Sequence, residues 1–195
     1  NLENTCRQAI ERLAARKPEE VAEYCQILFN RHRQCFMLNF LNQDYLITFP
    51  WGKVYSIHGS EAPVYLSIIM LHYLITADGK PLSGQWISFR HLPGGDIYME
   101  PFRKRAINPF IEVFGKHPDS FRSSALALGG YPGPLKGINL IIPVLPKVPL
   151  SFTLWPGDRE FPPSANILFD AHASSYLPTE DYAHLPGLAI NAMKS

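Results

Sequence analysis

The stretch from Gly137 to Asp170, GINLIIPVLPKVPLSFTLWPGDREFPPSANILFD, limits the possible folds most sharply. Leu150, Phe152 and Leu154 alternate with Ser151, Thr153 and Trp155. That is the period-two pattern of a strand with one face in a core. Ile138 to Ile142 is a second apolar run, and the turn at Val144 to Lys147 lets it pair antiparallel with the first. The second strand leads into Trp155-Pro156-Gly157-Asp158, where Gly157 allows a sharp turn and Pro162-Pro163 stiffens the exit. Ser164 is expected to cap a helix or turn carrying Ala165 to Phe169, with Asp170 and His172 just beyond.

Elements on either side supply helices for this sheet. Leu2, Cys6, Ala9, Ile10 and Leu13 recur at helical spacing, and Pro18-Glu19-Glu20 is a good first turn for a second helix burying Val21, Tyr24, Cys25 and Leu28. The basic run Arg31-His32-Arg33 is expected to close that helix. Cys35–Leu41 and Tyr45–Phe49, split by Asn42-Gln43-Asp44, read as a hairpin, and Lys53 to Ile57 as a third strand. Val64 to Ile75 is apolar nearly all round and predicts a core helix capped by Ser60, with His72 as a core histidine. Gln85 to His91 reads as a strand. Residues 98 to 114 carry a helical pattern that Pro109 should kink or split, and Pro118 to Leu128 makes another helix. Thr179 is expected to cap the last one. The expectation is an α+β fold, a mainly antiparallel sheet with helices packed on it. It forms a single domain over 1–195, with a helical hairpin at 1–33 on a body at 34–195.

Composition narrows the function classes. With 46% hydrophobic and 18% charged residues the chain is globular in type, and a net charge of +1 supplies no field to draw in nucleic acid. No apolar run approaches the roughly 18 residues of a membrane span, and the first residues lack the order of a signal peptide. A cytoplasmic protein without a membrane partner is expected. Cys6, Cys25 and Cys35 form no Cys-x-x-Cys pair and read as reduced core thiols. The nucleophile elbow, HExxH, zinc-type Cys/His spacing and the P-loop are all missing.

Three loops remain as candidates for chemistry. Leu92-Pro93-Gly94-Gly95-Asp96 and Gly129-Gly130-Tyr131-Pro132-Gly133-Pro134 are glycine-rich, so their backbones can approach a ligand or simply turn. The third, 155 to 163, holds Asp158 and Glu160 near Asp170 and His172. These carboxylates suit a metal or an acid/base pair, and equally an internal hydrogen-bonded turn. Asp158, Glu160 and Asp170 are the metal candidates. The 12 Phe, 9 Tyr and 3 Trp would suit a large flat apolar cofactor. His58, His91 and His172 could each serve as its axial ligand, being at strand ends or in loops. Gly94, Gly95, Gly129, Gly130, Tyr131 and Trp155 would then line the pocket.

Leu145-Pro146-Lys147-Val148-Pro149-Leu150, Trp155 to Pro162, Leu168-Phe169-Asp170 and Tyr176-Leu177-Pro178-Thr179-Glu180 together resemble the C-terminal signature of domain-of-unknown-function family 3786. The resemblance implies a setting in anaerobic bacteria and archaea, in one-carbon and corrinoid metabolism, with some members fused to an iron–sulfur module. It implies no catalytic residues. The cysteines here lack ferredoxin spacing, so no cluster is expected on this chain. Three readings follow. The first is a small-molecule or cofactor-binding protein, with a tetrapyrrole (corrinoid or haem) as the suspected ligand, and it predicts that the three loops meet. The second is an interaction module docking on a redox protein partner. The third is a metal-dependent enzyme in which Asp158, Glu160, Asp170 and His172 converge.

Overall fold

The computed structural model describes all residues from Asn1 to Ser195. The fold is α+β, with two antiparallel sheets and helices packed against them. Contacts group the chain into two units. The first comprises Asn1–Pro81, Leu145–Lys147 and Ser175–Pro178, and the second Leu82–Val144, Val148–Ser174 and Thr179–Ser195.

In the first unit, helices α1 (Leu2–Ala14) and α2 (Pro18–Cys25) precede strands β1 (Leu28–Asn30), β2 (Cys35–Phe40), β3 (Gln43–Thr48) and β4 (Val54–Ser56), which form a sheet in sequence order. Asn1 caps α1, its Oδ1 accepting the Glu3 N–H at 3.0 Å. Ala9 and Leu13 are buried on the predicted stripe, but Leu2 is exposed. Helix α2 stops earlier than its apolar spacing suggests, because Gln26 turns left-handed at φ 57°. Leu28 is therefore an exposed strand residue, and Arg31-His32-Arg33 sits in the β1–β2 turn instead of at a helix end. The β2–β3 hairpin turns on Leu41 and Asn42, both at positive φ, as a two-residue turn matched to strand twist requires.

Helix α3 (Val64–Thr76) is buried along most of its length, as its unbroken apolar composition demands. It starts directly after Pro63, with no side-chain cap from Ser60. Tyr73 in its last turn ties the unit together. Its hydroxyl donates to the Cys25 carbonyl at 2.9 Å and accepts the Lys147 N–H at 3.1 Å, and its ring stacks on Tyr176. Burial pushes the neighbouring Cys25 thiol up to about 12. That is the inert core thiol expected of it.

The second unit holds β5 (Trp86–Ser88), β6 (Tyr131–Pro132), β7 (Ile138–Leu145), β8 (Val148–Trp155) and β9 (Ser164–Asp170), ordered β5-β9-β8-β7-β6. The β7–β8 hairpin is the predicted one. The segment Ser164 to Asp170 is a strand rather than a capped helix, paired with β8 on one side and β5 on the other. Beside the sheet lie α4 (Gly95–Phe102), α5 (Asn108–Phe114), α6 (Pro118–Ala127) and α7 (Thr179–Lys194). A π turn over Arg103–Ile107 joins α4 to α5. Pro109 cannot donate to the carbonyl of Arg105, and its ring crowds that carbonyl, so the helix opens out ahead of it. The opened turn is closed by the Asn108 N–H donating to the Arg103 carbonyl. Phe110, Phe121 and Phe152 then form the centre of the core, with ring centroids 4.9 and 5.3 Å from Phe110.

Candidate functional site

A cleft of about 350 Å³ opens in the second unit between α4, the π turn and the first turns of α7. Its floor is built by a glycine. Gly95 begins α4 so close to the preceding turn that a Cβ there would lie 1.9 Å from the Phe89 carbonyl oxygen. Gly94 supplies the left-handed residue, at φ 73°, that aims the chain into the helix. This close start lays Phe102 flat on Phe89, with ring centroids 4.4 Å apart and an interplanar angle of 4°. Both rings are almost wholly buried, and Pro93, Pro101 and Ala183 extend the apolar lining.

The rim is polar. Tyr98, Arg105, Glu180 and His184 are exposed around the opening, with Thr179 beside them. Helix α7 presents Thr179, Glu180, Ala183 and His184 on one face because Tyr182 and Leu185 are buried on another. Tyr182 anchors that helix. Its hydroxyl donates to the Ala173 carbonyl at 2.7 Å, and its ring meets Phe169 edge-on at 5.2 Å. The π turn displays Arg105 at the other side of the opening, and such turns occur disproportionately at functional sites.

Of the other residues singled out in the sequence, Asp170 and Asp158 bond to nearby backbone. Asp170 is buried, and its Oδ1 accepts the N–H groups of Ser83 and His172, at 3.0 and 2.8 Å, and lies 3.0 Å from the Ser83 hydroxyl. Its Oδ2 accepts the Gly84 N–H at 3.0 Å, so the carboxylate fastens the end of β9 to the segment before β5. Asp158 is exposed; its Oδ1 accepts the N–H groups of Glu160 and Phe161, both at 2.8 Å, while its own N–H donates to the Phe161 carbonyl. Those bonds, the one from Phe161 foremost, hold its carboxyl below the usual range. Glu160 is exposed on the same loop. No three or more His, Cys, Asp or Glu side chains are grouped to hold a metal ion, so Asp158, Glu160, Asp170 and His172 do not converge.

The second glycine loop also packs on the protein itself. Gly129 and Gly130 end α6, their N–H groups donating to the Leu126 and Ala125 carbonyls at 3.0 and 2.9 Å, with Gly129 at φ 81°. Tyr131 pairs with Ile141 and stays half exposed. Trp155, exposed at the end of β8, packs its indole on Gly137. Loop 92–96 gives Pro93 to the cleft, whereas 157–163 lines a separate hollow with Gly115 and Lys116. His91 is exposed with its Nδ1 3.2 Å from the Ser88 hydroxyl, His172 is half-buried, and His58 is exposed in the turn after β4 in the first unit. His184 is the imidazole in the cleft lining. It had a signal in the sequence: Thr179/Ala183 and Glu180/His184 are four apart and off the apolar stripe of α7.

These features define an α+β protein of antiparallel sheets with an amphiphilic cleft in its second unit. The chain belongs to the domain-of-unknown-function family DUF3786, whose model matches residues 17–192. No curated protein and no solved structure matches it. No helix is long and apolar enough to cross a membrane.

Proposed function

We propose that the chain is a small-molecule-binding protein and that the α4–α7 cleft is its binding site. One observation carries this: stacked, buried Phe89 and Phe102 form an apolar floor, and polar side chains converge on its rim. An apolar pocket with a few convergent polar groups is the usual form of a ligand site. Its volume is at the small end of the range of about 300–1,000 Å³ for such sites. A corrinoid or haem, if it is the ligand, would enter by one edge of the macrocycle, with His184 in place of His58, His91 or His172 as the imidazole at hand.

The test begins with the native mass and the visible spectrum of protein purified anaerobically, followed by titration with haem and with cobalamin. A bound mass, or a Soret or corrinoid band that shifts with one equivalent, supports the proposal when Ala183→Trp removes it. Binding that survives Ala183→Trp places the ligand outside the cleft and overturns the proposal. Sensitivity of the band to His184→Ala would identify the axial ligand.

A further inference from the structure

The charges around the cleft are not balanced alike. In this unit Arg90 lies 3.7 Å from Asp96, Arg103 3.8 Å from Glu100 and Arg122 3.0 Å from Asp119. Arg105 lines the cleft and has neither an ion pair nor a hydrogen-bond partner. Glu180, the carboxylate in the lining, falls in the first turn of α7, where the positive helix end offsets its charge. Arg105 has no such offset, because it sits in a π turn within a continuous helical stretch.

Most exposed arginines are simply solvated. Arg105 differs in its neighbours, since it shares the cleft with Tyr98, Pro101 and Phe102. A ligand seated on those rings would displace water from around the guanidinium, and a charge pair strengthens as the surrounding dielectric falls. The planar guanidinium fork matches a carboxylate in particular, through two parallel N–H···O bonds. About 350 Å³ accommodates one or two fused rings. We infer that the cleft takes a planar apolar carboxylate, with its ring system over Phe102 and its carboxylate on Arg105. This rests on the cleft being the binding site.

The experiment compares 2-naphthoate with its neutral isostere 2-naphthamide by isothermal titration, with amide chemical shifts mapping where each binds. Naphthoate should bind roughly three- to tenfold tighter, the span between an exposed and a partly desolvated ion pair. Arg105→Gln should abolish that preference, bringing the two probes to equal affinity, and the shifts should centre on α4 and the start of α7. Equal affinity for the two probes, or a preference that persists in Arg105→Gln, overturns the carboxylate inference and leaves the cleft standing. Shifts elsewhere, or no binding by either probe, overturn the cleft itself. Arg105 is exposed, so its replacement leaves the core untouched.

Discussion

Between Trp155 and Asp170 the chain gathers an aspartate turn, a proline clamp and a buried carboxylate, and the structure spends most of them on itself. Asp158 closes its own loop with two accepted N–H bonds, and Asp170 holds Ser83, Gly84 and His172. The α4–α7 cleft is the reverse. Its residues are individually ordinary, yet Tyr98, Arg105, Glu180 and His184 face an opening with no partners of their own. Polar groups with internal partners stabilise a fold, whereas groups left over beside an apolar floor remain available to bind. Conspicuous chemistry in a sequence therefore marks a place where something must be held, and the thing held is often the chain.

The contrast breaks hardest at Asp170. Asp170→Ala removes the acceptor for three backbone N–H groups and a hydroxyl, some of which water can still reach. The expected loss is about 2–4 kcal/mol in urea unfolding at neutral pH. A loss under half a kcal/mol, with a new ligand-dependent phenotype, would show that the carboxylate faces chemistry and not the fold. At Gly95 an added Cβ must displace the Phe89 backbone, so Gly95→Ala should cost about 3 kcal/mol. It should also spoil the Phe89–Phe102 stack and any probe binding in the cleft. Gly94→Ala meets open space and pays only for its left-handed backbone, about 1 kcal/mol, with binding retained. If both glycines behave alike, the floor does not depend on the close approach at Gly95.

Much of the fold was legible because its signals are local. The alternation in β8, the unbroken apolar run of α3 and the turn chemistry between β2 and β3 each point to one structure. The misreadings share a cause. Ser164 after two prolines looks like a helix cap, but Ile167 and Phe169 gain more as strand residues between β5 and β8, a pairing no local window contains. Leu28 fits the stripe of α2 until Gln26 turns left-handed. The cleft was the least legible part. Arg105 lies in a basic run that reads as a solvated face, and only the π turn ahead of Pro109 and the stacking of two distant phenylalanines make it a wall.

The finest test of the contrast is at Asp158, where the effect is small and its sign is fixed by pH. Its carboxyl is held below the ordinary value by the N–H groups of Phe161 and Glu160, which favour the charged form in the folded state. A group with a lowered folded pKa contributes stability above its unfolded pKa of about 3.9, and that contribution disappears as pH falls through the folded value. Asp158→Asn keeps an oxygen acceptor and removes the charge. The wild type should therefore melt slightly higher than the variant at neutral pH, with the gap closing in acid below about pH 4. A gap that widens in acid would reverse the assignment, meaning that the charged carboxylate strains the loop. That outcome would recast 155–163 as a site kept at a cost to the fold, and it would bring the two regions back to equal standing.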